Sequence, residues 1–363
     1  MIFLSEVKTR SDWNDFYSVT KDIYVDNPHS RSTEDSIVKM LASGNSVFFK
    51  HAQVYNYLIK DGSWLAGRFS LIYDRNLPEY VQVAFFEAKW GLDDVLSPIK
   101  LKAQKVFPGI PKMVIGLCGH LNYAAGILTD SFHEAPLFGL PYNPPWYQEY
   151  FKNAHKKSMV SYRFENTNFY NLLDSGRLPE NIDGFRIRHM DKSRLEHDVK
   201  LYTYLNNINF KNHPYWSDRL WEEDYELFHP FRFFMKEENL IFAEYKGDTV
   251  GFLLWYPDFN ELAPAGQDLG LRHLLKFRFQ FTPKTARFTE IAVKEEFRRS
   301  GVVELMVADL TKSLKKGGYT HTEGGFIFEE NSASIGMTMR LFERGFGRKL
   351  DPYRHFAVFE VEL

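Results

Sequence analysis

The sequence predicts an α/β protein with a mixed sheet, built as two similar units in tandem. Three observations carry this expectation. The chain has 363 residues, beyond the size at which single cores usually stop growing. A succession of strand-like and helix-like runs recurs in the second half. Between the copies lies a segment rich in Asn, Asp and Gly that contains Pro179. The expected division is a first unit over 1–164, a linker over 165–184 and a second unit over 185–363.

In the first unit Ser11 and Ser32 stand where helix N-caps would, and Gly44 where the second of two short helices would stop. Two helices are therefore expected to open the chain. Strand-like runs at 54–60 and 64–73, joined by an Asp61-Gly62 turn, and a third at 81–90 read as an antiparallel meander. A helical stretch over 95–106 and a strand over 113–117 turn the meander into a β-α-β crossover. Downstream, a helix over 194–205 precedes a hairpin over 240–255 that turns at Lys246-Gly247-Asp248, and then a strand over 288–293. A helix to Lys316, a strand over 319–328, a helix over 332–344 and a strand over 355–362 complete the copy. The order of elements repeats; the letters do not.

Composition narrows the function. Lys and Arg number 45 against 47 Asp and Glu, a net charge of -2, so no global field draws the chain to nucleic acid or to an anionic membrane. Any basic site must be local. The single cysteine, Cys118, excludes an internal disulfide and a thiolate metal cluster and suits a reducing, cytoplasmic compartment. The apolar run at 1–4, ahead of Glu6 and Lys8, is far shorter than a signal peptide or a membrane span. No zinc-protease pattern of His and Glu occurs, and His133-Glu134 lacks a following His at helical spacing, so no metal is expected. Gly-x-Ser-x-Gly, a Walker loop and a dinucleotide glycine triplet are absent as well.

The informative stretch is 289–346. Thr289-Glu290-Ile291-Ala292-Val293 reads as a buried strand and leads into Lys294-Glu295-Glu296-Phe297-Arg298-Arg299-Ser300-Gly301-Val302-Val303. Beyond Gly301, the apolar residues Val303, Met306, Leu310 and Leu314 follow helical spacing, and Gly317-Gly318 ends the helix after Lys312, Lys315 and Lys316. Amides free in that first turn, the positive end of the helix dipole and the guanidiniums of Arg298 and Arg299 together favour a pyrophosphate. A solvated turn with an adequate cap has the same letters, so the loop alone leaves both readings open.

Arg298 and Gly301 match the coenzyme A loop of the GNAT acetyltransferase superfamily, which the sequence here resembles; Val303 stands where that pattern ends on Gly or Ala. A second match is Phe326-Ile327-Phe328-Glu329-Glu330-Asn331, a strand entering a helix that closes on Gly345-Phe346. The whole chain is similar to a group of bacterial tandem-GNAT proteins through 256–261, 298–301, 329–331 and Pro141-Tyr142-Asn143-Pro144-Pro145-Trp146-Tyr147. The resemblance implies an acyltransferase using acetyl-CoA, with Ile291, Val293, Arg298, Arg299, Ser300, Gly301, Val302, Val303 and Asn331 around the cofactor. For Asn331, plain N-capping explains the position equally well. It implies a splayed strand whose amides hold pantetheine, Glu290 as the base, and a small-molecule or peptide amine as acceptor. Leu341 fills the place where many members carry a proton-donating Tyr, which leaves Tyr353 as the substitute.

In the first unit the corresponding junction, 87–95, carries Asp93 and Asp94 where phosphates would need donors, so only the second unit is expected to bind the cofactor. The 141–147 run suits a wall or lid, or simply a rigid connection. Two rival functions follow from the departures at Val303 and Leu341 and from tandem folds that use aminoacyl-tRNA. One is a non-catalytic binding or sensor protein on a degenerate scaffold; the other is RNA-dependent transfer, which the near-neutral charge opposes.

Overall fold

The computed structural model describes residues 2–31, 35–267 and 269–363; Ser32, expected to cap a helix, lies outside them. The chain opens not on a helix but on a strand, β1 (Ile2–Glu6), which pairs antiparallel with β2 (Ala52–Asp61). Between them run α1 (Arg10–Ile23) and α2 (Asp35–Ala42). Thr9, not Ser11, caps α1: its hydroxyl takes the Asp12 amide at 3.2 Å while the Asp12 carboxylate takes the Thr9 amide at 2.8 Å. The meander continues as β3 (Trp64–Asp74) and β4 (Tyr80–Ala88), and α3 (Leu96–Val106) crosses over to β5 (Lys112–Ile115), parallel to β4. The short β6 (Ile127–Leu128), α4 (Tyr147–Tyr150) and β7 (His155–Glu165) end this part.

Within 165–184 lies α5 (Thr167–Asp174), whose Phe169 and Leu172 are buried. Then come β8 (Phe185–His189), α6 (Leu195–Phe210), α7 (Trp221–Phe231), β9 (Leu240–Tyr245), β10 (Asp248–Pro257), α8 (Leu271–Phe279) and β11 (Thr285–Val293). The chain closes with α9 (Val302–Gly317), β12 (His321–Phe328), α10 (Ser332–Phe346) and β13 (Arg354–Glu362). The order β8-β9-β10-β11-β12, with β11 parallel to β12, repeats β1-β2-β3-β4-β5.

All these strands belong to one sheet, in the order β1-β2-β3-β4-β5-β13-β7-β12-β11-β10-β9-β8, with β6 on β13. The last strand of the chain thus lies against the first half's β5, and the last strand of the first half against β12. The two centre strands pair with each other from Arg354↔Ser161 to Glu360↔His155. Ala357 and Phe359 of β13 sit in the first half's core beside Phe151 and Ile115, while Phe164 of β7 packs against the core under α9. Each half is closed by a strand of the other.

Two layers of helices cover the second half. The α9 face buries Val302, Leu305, Met306, Leu310 and Leu314 at helical spacing, while α6 buries Val199, Tyr202 and Leu205 on the opposite face of β9 and β10.

Candidate active site

The parallel pairing of β11 and β12 runs from Thr285↔His321 to Phe288↔Gly324 and then stops, although both strands continue. Beyond that point β11 stays on β10 as far as Val293, and β12 stays on β7 as Ile327↔Val160. The sheet therefore parts in a wedge whose β11 side is 289–293. Thr289 Oγ1 is buried in the wedge without a hydrogen-bond partner. A cavity of about 330 Å³ passes through the gap. On one face it is lined by Leu310 and Thr311 of α9 and by Asn331 and Thr338 at α10; on the other it is lined by Tyr202 of α6 and Phe228 and Phe231 of α7.

Past the wedge, Glu295–Phe297 form one tight turn and Gly301, at φ 85°, bends the chain into α9. A side chain at Gly301 would be strained there and would meet Ile182 Cδ1 at 3.0 Å. The turn uses some of its own donors: Ser300 N gives to Phe297 O at 3.1 Å, and Arg298 Nε gives to Val293 O at 3.3 Å. Val302 N reaches only Ser300 Oγ, at 3.4 Å. Among the described residues the amides of Gly301, Val303 and Glu304 and the exposed Arg299 guanidinium have no partner. The helix thus presents its positive end with three amides unclaimed. Val303 is half-buried against the α9 core.

Glu290 lies on the same side of the wedge, three residues before the end of β11. An extra residue, Thr289, falls between the pairs Leu254↔Glu290 and Trp255↔Phe288, and this bulge turns Glu290 toward α6. Tyr202 donates its hydroxyl to Glu290 Oε1, and Asn122, from the first half, donates Nδ2 to the Tyr202 oxygen at 2.8 Å. Burial raises the Glu290 carboxyl from 4.5 to about 7, against the opposing pull of Arg219 and the Tyr202 hydrogen bond. A carboxylate titrating there is suited to taking a proton from an amine.

The expected residues thus fall into three places. Glu290, Ile291 and Asn331 line one cavity. Asn331 also caps α10, its carboxamide oxygen accepting from Ser334 N at 3.1 Å. Val293, Arg298, Arg299, Ser300, Gly301, Val302 and Val303 form the adjoining strand end and turn. Tyr353 stands apart: its hydroxyl accepts from Arg163 Nη1 at 3.0 Å, and it is not among the cavity's lining residues. Tyr162 of β7 does line the cavity, and its hydroxyl makes no hydrogen bond among the described residues. No sequence signal marked Tyr162, Tyr202 or Asn122, because each arrives from an element whose place in the sheet the letters do not encode.

The first half repeats the geometry without the loop. Pairing of β4 with β5 stops at Val83↔Ile115, a bulge lies between Arg68 and Ser70, and Glu87 follows it as Glu290 does in the second half. Glu87 Oε2 accepts from Tyr24 at 3.0 Å and Tyr147 at 2.5 Å beside a cavity of about 1120 Å³. Asp94 Oδ1 takes the Ser97 amide at 3.1 Å, and Pro98 supplies none, so the start of α3 offers a pyrophosphate little. The 141–147 run walls that cavity and is pinned by Asn143, which takes Leu128 N at 2.7 Å.

Residues 201–347 match the model of the acetyltransferase (GNAT) family. The fold is similar to that of a tandem GNAT protein from the clavulanic acid biosynthesis pathway, at 12% identity and a TM-score of 0.56, covering 100% of this chain and 98% of that one. It is also similar to a GCN5-related glucosamine N-acetyltransferase region of a fungal multi-domain GH3 beta-N-acetylglucosaminidase, at 11% identity and a TM-score of 0.57, covering 99% of this chain and 38% of that one. A GCN5-related N-acetyltransferase from Sphaerobacter thermophilus has 11% identity and a TM-score of 0.50, covering 99% and 95%. No curated protein matches the chain by sequence. Among the described residues no helix is long and apolar enough to cross a membrane, and no cluster of His, Cys, Asp and Glu could hold a metal ion.

Proposed function

We propose that this chain, a tandem protein of the GNAT superfamily, is an acyl-CoA dependent N-acyltransferase, with acetyl-CoA as donor and an amine on a small molecule or peptide as acceptor. Residues 185–363 carry the cofactor loop and the base in this reading, and 1–164, joined to them through 165–184, serve as scaffold and acceptor-side wall and supply Tyr162 of β7. The observation that carries it is the passage through the parted sheet. It runs from Val307, Leu310 and Thr311 of α9, the helix that begins at the unclaimed amides of Gly301, Val303 and Glu304, to Glu290. Phosphates suit those amides and an amine suits that carboxylate. The pantetheine arm would run between Asn331 and the strand Ile291–Val293.

Glu290 takes one proton from the amine as nitrogen attacks the thioester carbon; the C–N bond forms, the C–S bond breaks, and the thiolate leaves with its electron pair. Tyr162 is placed to return a proton to that sulfur, since its hydroxyl is uncommitted and lines the passage. Cys118 takes no part, because burial pushes its thiol up to about 12. A protein with a single cysteine suits the cytoplasm.

Two measurements test the reading. Acetyl-CoA at about 100 times its Kd stabilises the fold by about 2.7 kcal/mol, seen as a higher unfolding midpoint, and Arg299→Ala weakens that effect. No shift with millimolar acetyl-CoA or CoA overturns the assignment. Tyr162→Phe lowers kcat about 10- to 100-fold while Tyr353→Phe leaves it within a factor of about two; equal losses in both variants remove Tyr162 from the role.

A further inference from the structure

Arg287 is a buried cation that the reaction above leaves unused. Its residue is 7% exposed and lines the same cavity as Glu290. Nη1 donates to the Phe138 carbonyl at 2.7 Å, and the guanidinium lies 5.5 Å from the centre of the Tyr256 ring. Gly139 lets it lie there, since a Cβ at that position would fall 1.8 Å from Nη1. Nε has no partner, and no carboxylate among the described residues forms an ion pair with Arg287. Two other buried guanidiniums are neutralised, Arg219 by Asp224 at 3.2 Å and Arg354 by Glu323 at 3.1 Å, whereas Arg68 in the first half, like Arg287, meets a carbonyl and forms no ion pair among the described residues. A buried cation that forms no ion pair is unfavourable, so Arg287 offers a place to an incoming anion.

The bulge in β11 decides where that anion would sit. Leu254 and Tyr256 of β10 are two residues apart and so share one face of the sheet. Their partners on β11 are Glu290 and Arg287, which are three apart because Thr289 is inserted between them. The insertion brings the carboxylate and the guanidinium onto one face, opposite partners two residues apart on β10. Without it they would point to opposite sides. Around them the wall is apolar: Phe138, Phe228, Phe231, Met235 and Phe259. Glu290 and Arg287 are the only Asp, Glu, Lys or Arg among the described lining residues, and burial lowers His213, which keeps it neutral.

We infer that the acceptor is a free α-amino acid with an apolar side chain of aromatic size, its amine at Glu290, its carboxylate at Arg287 and its side chain among the phenylalanines. The inference rests on the acyltransferase reading and adds the substrate class. The carboxylate stays unchanged and orients the amine, so the products are an N-acyl amino acid and free CoA. A polyamine or aminoglycoside would find one carboxylate and an uncompensated guanidinium, and a simple arylalkylamine would leave Arg287 unpaired.

The test compares L-phenylalanine, L-phenylalanine amide, 2-phenylethylamine and spermidine with acetyl-CoA, following thiol release. Wild type prefers L-phenylalanine over 2-phenylethylamine by about 100-fold in kcat/KM, the scale of a charge-assisted contact. Arg287→Met erases that preference, and Arg287→Lys keeps part of it. The Met variant is expected to fold, because it removes an uncompensated buried charge. A wild type that acetylates the amide and the arylamine as well as the amino acid, or a Met variant with an unchanged ratio, overturns the inference while leaving the acyltransferase reading intact. Thiol release from none of the amines, together with no melting shift from acetyl-CoA, overturns that reading instead. Binding then still tests the site: L-phenylalanine raises the melting temperature of wild type and not of Arg287→Met, and a shift equal in both, or absent from both, rejects it.

Discussion

Glu290→Gln lowers kcat/KM for acetyl transfer by about 10²- to 10⁴-fold at pH 8, the range expected when a positioned general base is lost. The pH profile identifies the loss as proton transfer. With its carboxyl raised to about 7, Glu290 is mostly ionised only above that pH, so wild-type kcat/KM rises with pH through about 7 and the Gln variant is flat there. Tyr202 donates to the ionised form and so favours it; Tyr202→Phe therefore moves the inflection to higher pH rather than abolishing the rise. Asn122→Ala acts one step further out and shifts it in the same direction by less. Stability separates this from damage to the fold. Between 4.5 and about 7 the folded state holds a proton on Glu290 that the unfolded chain has released, so wild-type stability falls as pH rises through that window. Gln carries no such penalty, and Glu290→Gln melts at or above wild type at pH 8. A Gln variant that melts well below wild type at pH 8, or one that retains the rise in rate near pH 7, removes Glu290 from the role of base.

The parts of this site that were legible in the sequence are those made by contiguous residues. The run from Glu290 to Val303 encodes strand, turn and helix start locally: a glycine where φ is positive, apolar residues at helical spacing beyond it, and basic residues in the turn. Asn331 was readable for the same reason, as the cap of the next helix. Arg287 was hidden although it stands three residues from Glu290, because alternation along an ordinary strand assigns the two to opposite faces, and the insertion of Thr289 has no signature in one sequence. Tyr202, Asn122 and Tyr162 come from α6, a loop of the first half and β7, and only the sheet order brings them to the wedge. The opening strand was missed because Ile2–Glu6 is short and half-buried, so its letters do not alternate. The repeat of architecture was visible in the order of elements, whereas the crossing of the terminal strands was not, since either pairing uses the same letters.

That crossing makes the two halves inseparable as folding units. Expressed alone, 185–363 lacks β7, which bares one edge of β12, and leaves β13 without a partner on either edge; 1–164 lacks β13 beside β5. The apolar loss is large against the total. Phe356 and Val358 are 0% exposed and Phe359 is 3% exposed, and each is worth about 1.5–3 kcal/mol on burial. Their sum is comparable with the roughly 5–15 kcal/mol by which a typical protein is stable at all. The newly bared edges would also favour aggregation. Deleting 354–363, a small piece of the chain, is therefore expected to abolish the cooperative melting of both halves and all acetyl-CoA binding, although no residue of the proposed cofactor loop is removed. Co-expression of 1–184 with 185–363 should restore one soluble complex that melts cooperatively, because each fragment then supplies the other's missing strand and α5 is retained. If 185–363 alone melts cooperatively and binds acetyl-CoA like the full chain, the exchanged strands are a decoration of the sheet, and the first half contributes to the site only through Asn122, Tyr162 and the aromatic wall.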